Sequence, residues 1–232
     1  LHSALSGRYT GFGVFECGYR DGHNSRRIQK KDVMNEIETV LLNELKEADY
    51  ESLIRYRVRK ILMICSNYDA FILEEDGQIE SQIYREYIDL NLSNPPKFVW
   101  VTTSEEARRV LDESDDIDMI ISMFNMGDRD VFSLASSLKN QGLSIPFVLL
   151  THFSKEIYRR LSLQDTGGID YMFSWHGNAD LIVAIIKLFE DLKNADDDIL
   201  GVGVQAILLV EDSVRYYSTY LPEIYKMVLK QS

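Results

Sequence analysis

Five short apolar runs, each separated from the next by a stretch with helical spacing, constrain the fold of this 232-residue chain more than any other feature. They are Ile61–Cys65, Phe98–Val101, Met119–Met123, Phe147–Leu150 and Tyr171–Phe173. Continuous apolar character, rather than strict alternation, marks strands buried on both faces. Between them, Ile83, Tyr84, Tyr87 and Ile88 pair at i, i+4. Thr103 and Glu106 form a capping-box pair ahead of Ala107, Val110 and Leu111. Val131–Leu138 is stopped by Gly142, Ile157–Leu161 is shorter, and Leu181–Leu192 is a long helix entered through Asn178. Such βα alternation predicts an α/β protein with a five-stranded parallel sheet and helices on both faces. The expected topology is flavodoxin-like, with any site at the carboxyl ends of the strands.

Sequence on either side of this block reads differently. Residues 1–54 form an extension whose helical stripe is Val33, Ile37, Val40, Leu41 and Leu45. The main domain is expected over 55–195, and an acidic, Gly-containing linker over 196–203. Residues 204–232 then read as a strand, Val204–Val210, and a helix, Val214–Leu229, that Pro222 weakens or bends. The helical stripe is Tyr217, Tyr220, Leu221, Ile224 and Val228. The chain opens on Leu1 and stops inside this pattern, as a fragment of something longer would.

The apolar share of 45% and charged share of 27% are those of a globular protein, not a disordered one. A net charge of −12 argues against a general nucleic-acid binder, which needs a basic face. Cys17 and Cys65 match no metal-ligand spacing and read as reduced thiols of a cytoplasmic protein. No signal peptide or membrane-spanning run is visible. Gly11-Phe-Gly13 and Gly201-Val-Gly203 lack the strand–helix context of a dinucleotide loop and read as turns. Arg55, Arg57 and Lys60 suit either steering of an acidic partner or protection of an edge strand.

From Arg59 to Lys193 the alternation, with its strand endings, resembles the receiver domains of response regulators. That resemblance implies Mg²⁺ held by an acidic pair after the first strand and an Asp after the third that accepts phosphate. A hydroxyl residue follows the fourth strand and a Lys the fifth. At these positions stand Cys65 and Ser66, Ser122, Thr151 and Ser174, so only the hydroxyl is retained. Met126 and Trp175 replace prolines of the pattern. Mg²⁺ relies on carboxylate ligands, and a Lys left facing hydroxyls would be a costly unpaired cation. The substitutions agree with one another: a pseudo-receiver pocket that is neutral and holds no metal. Asp69, Glu74, Glu75, Asp76, Asp128 and Asp130 lie in the adjoining loops and read as solvated surface. Tyr158, Trp175 and His176 are expected on an interaction rim, where His152 also lies. Glu211 and Asp212 match the acidic pair and would open a second receiver-like unit with a metal site.

Longer stretches carry a further resemblance. NYDAFILEEDGQIESQIYREY, FSWHGNADLIVAIIKLFED and VGVQAILLVEDSVRYYSTYLPEIYK are similar to the N-terminal region of multidomain phosphoenolpyruvate synthase or pyruvate phosphate dikinase-like proteins of Bacteroidetes-type bacteria. This implies a parent phosphotransferase using Mg²⁺ and ATP, with its catalytic residues outside this sequence. The fragment itself would need no cofactor and act as a regulatory or docking module. Its partners would be neighbouring domains of the same protein, another protein, or a second copy in a homodimer; nucleic acid and membrane are not expected. Two other readings are a phosphotransfer protein whose acceptor lies in the second unit, and a small-molecule sensor using the neutral pocket.

Overall fold

The computed structural model describes residues 55–69, 79–125, 130–152, 166–202 and 205–230. Among them, five strands form one parallel sheet in the order β2-β1-β3-β4-β5, the flavodoxin-like order. They are β1 (Lys60–Ile64), β2 (Lys97–Val101), β3 (Met119–Met123), β4 (Phe147–Thr151) and β5 (Tyr171–Ser174). Every strand boundary lies within one residue of its apolar run. The long helix of the extension, Met126, Tyr158, Ile157–Leu161 and the acids Glu74, Glu75, Asp76 and Asp128 lie outside the described residues.

The chain divides into two compact units. The first contains the described parts of Val58–Glu80 and Pro96–Gly177, and the second those of Ser81–Pro95 and Asn178–Ser232 with the segment ending at Arg57. Their boundary at residues 177 and 178 falls inside the span 55–195 expected as one domain.

In the first unit the register sets which residues share a face. Ile64 pairs with Ser122, Ser122 with Leu149, and Leu149 with Met172. On that face Leu62, Ile64, Val101, Ile120, Phe147 and Leu149 pack with Ala107 of α2 (Ser104–Glu113) and with Val131, Leu134, Ala135 and Leu138 of α3 (Val131–Asn140). The opposite face is buried as well: Ile61, Met63, Ile121, Val148, Leu150 and Phe173 are at most 1% exposed. Two dry faces explain why the strands carry no polar alternation. Lys60 is paired bidentately with Asp116, and β1 lies between β2 and β3, so its charge does not guard a sheet edge.

Thr103 caps α2 as expected, accepting from the Glu106 N–H at 3.2 Å. The Glu106 carboxylate reaches back chiefly to the N–H of Thr102, with the Thr103 backbone a lesser contributor. Gly142, with φ of 86°, stops α3. Near β5 the chain passes so close to α3 that a Cβ on Gly168 would lie 2.4 Å from backbone atoms of Ala135 and Ser136. Gly168→Ala is therefore expected to destabilise the fold by at least about 2–3 kcal/mol in urea unfolding; an unchanged midpoint would contradict this packing.

The second unit is helical. In α1 (Ile79–Asp89), most of which belongs to it, Ile83 and Tyr87 are buried while Tyr84 and Ile88 are exposed, so half of the expected stripe is used. Helix α4 (Ala179–Ala195) runs directly into a π-helical stretch, Asp196–Val202, where a linker was expected. The strand expected at 204–210 is absent from residues 205–210, which have no sheet partner. Ile207, Leu208 and Val210 are about half exposed there. Helix α5 (Val214–Lys230) continues through Pro222 and packs along α4 with Tyr217, Leu221 and Ile224 buried. Tyr225 donates to Asp191 at 2.6 Å, and Lys226 pairs with Asp180.

An ion pair, Lys187 with Glu190 at 2.8 Å, is buried on α4, with side chains 5% and 7% exposed. Removing Glu190 leaves the Lys187 ammonium without the carboxylate it pairs with. Glu190→Leu should cost about 3–5 kcal/mol, and the double change Lys187→Met, Glu190→Leu should recover part of it. Chemical denaturation of the three proteins checks this; equal losses in single and double variants would refute it.

Candidate functional site

Parallel strands place their carboxyl ends together, and the residues that follow them form one polar row. Cys65 is buried and continues β1 by donating its N–H to the Val101 carbonyl at 3.1 Å. Ser66 is half-buried; its hydroxyl donates to Asp69 Oδ2 at 2.7 Å and accepts from the Asp69 N–H at 3.1 Å. It thus caps the helical residues 67–69. Ser122, fully buried in β3, donates to the carbonyl of Met123 at 3.0 Å. Thr151 and Ser174 end β4 and β5 and pair in register. Both are buried, and Ser174 Oγ lies 3.1 Å from His176 Nε2. Alternation along the strands puts Ser122, Thr151 and Ser174 on the same face of the sheet.

The hydroxyls are not equally engaged. Ser66, Ser122 and Ser174 each have a partner at this end of the sheet, whereas Thr151 Oγ1 is buried without one among the described residues. A buried hydroxyl with no partner carries its full desolvation penalty. Thr151→Val keeps the shape and removes that penalty, so it should stabilise the protein by about 1 kcal/mol in thermal unfolding. A clear loss of stability would mean that the hydroxyl holds a water or ligand in solution.

The described acids at this end are engaged in caps. Asp69 is held by Ser66, and Asp130 caps α3 by accepting from the Ser133 N–H at 3.2 Å. Glu106 accepts from the Thr102 N–H at 3.0 Å and from the Thr102 hydroxyl at 3.2 Å. The Thr102 backbone bond holds its carboxyl below the ordinary range. Asp69, half-buried, and Asp130, exposed, keep the surface position expected and serve local structure as well. Among the described residues no group of three His, Cys, Asp or Glu side chains is placed to hold a metal. Among the described residues the row at the strand ends offers hydroxyls and no carboxylate, a donor set that does not fit Mg²⁺.

Two other expectations need correction. Trp175 is 4% exposed, so it belongs to the core and not to an interaction rim. His176, with His152, is exposed at this edge. Glu211 and Asp212 stand just ahead of α5 and follow no strand. Glu211 accepts from the Ser213 N–H at 2.9 Å, and negative charge beside a helix N-terminus is stabilised by the helix dipole. Sequence reading missed the cap formed by Ser66 and Asp69, although its S-x-x-D spacing is a cap signature. It also missed the Ser174–His176 contact, for which the two-residue separation was the available signal.

The order and parallel pairing of the strands define a flavodoxin-like α/β protein. No protein-family model matches the chain, and no curated protein does. Similar solved structures are receiver domains. The receiver domain of Francisella response regulator 1452 is 15% identical, with 58% of this chain and 98% of that one covered and a TM-score of 0.42. The signal receiver domain of an HD domain-containing protein from Pseudomonas fluorescens Pf-5 is 19% identical, with coverage of 67% and 98% and a TM-score of 0.43. The receiver domain of a sensor histidine kinase from Pseudomonas aeruginosa PAO1, with magnesium coordinated in its active-site cleft, is 16% identical, with coverage of 57% and 97% and a TM-score of 0.42.

Proposed function

We propose that this chain is a signal-receiver module that has kept the scaffold and lost the phosphoryl chemistry, and that it works by docking to a neighbouring domain or a partner protein. The observation behind this is the row of neutral side chains at the strand ends. Ser122 occupies the acceptor position as a fully buried hydroxyl turned onto the Met123 carbonyl. A serine there offers neither the carboxylate that accepts phosphate nor a ligand that offsets the charge of Mg²⁺. Ser174 stands where a Lys would balance the phosphoryl group. The five strand-end positions, Cys65, Ser66, Ser122, Thr151 and Ser174, bear no charged side chain, which suits a domain read by its shape.

A phosphotransfer role placed in residues 204–232 has less behind it, because residues 205–210 pair with no sheet. The phosphoenolpyruvate synthase-like parent rests on the resemblance of the three quoted stretches of sequence alone. It requires an ATP-binding catalytic region encoded in the same gene.

Amide NMR spectra of the chain with Mg²⁺ and beryllofluoride, an acyl-phosphate mimic, test the loss of chemistry. Resonances around Ser66, Ser122 and Thr151 should stay in place up to millimolar concentrations. Mg²⁺-dependent shifts confined to those residues would show a working acceptor site and overturn the proposal.

A further inference from the structure

Where α4 ends, three hydrogen bonds converge on one side chain. Asn194, 2% exposed, accepts from the Tyr56 N–H through Oδ1 at 2.8 Å and donates through Nδ2 to the Tyr56 carbonyl at 2.9 Å. Meeting both backbone groups of one residue, the amide copies the bond pair of an antiparallel strand. The same Nδ2 donates to the Glu190 carbonyl at 2.7 Å. In an α-helix that carbonyl is the acceptor for the backbone N–H of residue 194 itself. Side chain and backbone of one residue therefore meet at one acceptor. The helix changes character immediately afterwards: Ala195 is the last α-helical residue, and Asp196–Val202 is π-helical. Insertion of a side chain into the i→i−4 ladder is a known cause of such local changes.

The π stretch needs a compensating interaction. A run of this form is rare, and its first turn is Asp196, Asp197 and Asp198 at the carboxyl end of α4, where the dipole disfavours negative charge. Partial burial, then repulsion from Asp197, pushes the Asp198 carboxyl up. Arg55, next to Tyr56, sets a cation against this run by pairing with Asp197 at 3.3 Å.

We propose that Asn194 is a joint through which docking of residues 55–57 controls how the chain leaves α4. With Tyr56 on Asn194 and Arg55 on Asp197, residues 196–202 take the π form. With that segment displaced, the amide releases the Glu190 carbonyl, and the stretch rewinds as α-helix or frays, re-aiming the chain that leads to α5. Any force on the sequence preceding Arg55 then reaches the far end of this helical unit without passing through the hydroxyl row.

Amide hydrogen exchange on the 232-residue chain tests this. Tyr56→Pro removes the N–H that Asn194 accepts and leaves α4 unaltered; Asn194→Ala removes the amide itself. Both should change exchange in residues 196–202 by about tenfold while amides of β1, β3 and β4 keep their protection. Arg55→Ala, at an exposed position, should act in the same direction with a smaller, salt-dependent effect. If Asn194→Ala also speeds exchange in β1 and β3, it reports global unfolding, and Tyr56→Pro with Arg55→Ala decides. Exchange altered only at residues 55–58, with 196–202 at wild-type rates, would overturn the proposal.

Discussion

Backbone pairing of Ile64 with Ser122, of Ser122 with Leu149 and of Thr151 with Ser174 sets what this sheet presents at its carboxyl edge. A slip of one residue in any ladder would turn that strand's polar residue to the other face. The apolar rows behind the edge hold the register, because both faces of the sheet are dry and any slip would expose or misplace several aliphatic side chains. The site is thus a by-product of core packing: the strands are fixed by Ile120, Phe147 and Leu149, and the hydroxyls come with them.

What distinguishes the edge is the absence of charge from its buried positions. Carboxylates nearby are held locally: Glu106 and Asp130 accept from N–H groups at a helix start, and Asp69 accepts from the Ser66 hydroxyl. This arrangement is self-consistent. A neutral row needs no counter-ion, the acids are stabilised by local hydrogen bonds, and the buried serines find carbonyl or imidazole partners. Thr151 is the exception among the described residues, and its unmet hydroxyl is a local cost of about 1 kcal/mol that the fold bears.

Among the described residues, the buried charged side chains lie in the helical unit. On α4, Lys187 and Glu190 form an ion pair out of water, and Asn194 holds the backbone of Tyr56. Buried pairs of this kind contribute little net stability but penalise every arrangement that separates them. They fit a unit whose geometry matters more than its stability, as expected of an element that joins one part of a chain to another.

The fold was legible because its signals are local: apolar runs of four or five residues, caps such as Thr103, and a stop at Gly142 are written in adjacent positions. The site was legible in outline for the same reason, since residues just after parallel strands must gather at one edge. Reading failed where an outcome depends on distant neighbours. The apolar stretch at 205–210 has the composition of a strand, but a strand exists only when another lies beside it, and none of the described strands does. The acidic run after α4 has the composition of a linker, yet Arg55, 142 positions away, and the amide of Asn194 hold it in a π-helix. Trp175 looked like a rim residue until the packing buried it. Sequence alone therefore determined the order of elements, the parallel sheet and the uncharged residues at its edge, all of which follow from near-neighbour pattern. The tertiary structure decided which hydroxyls are satisfied, which acids become caps and how α4 ends, because each depends on a partner that only folding brings within hydrogen-bond reach.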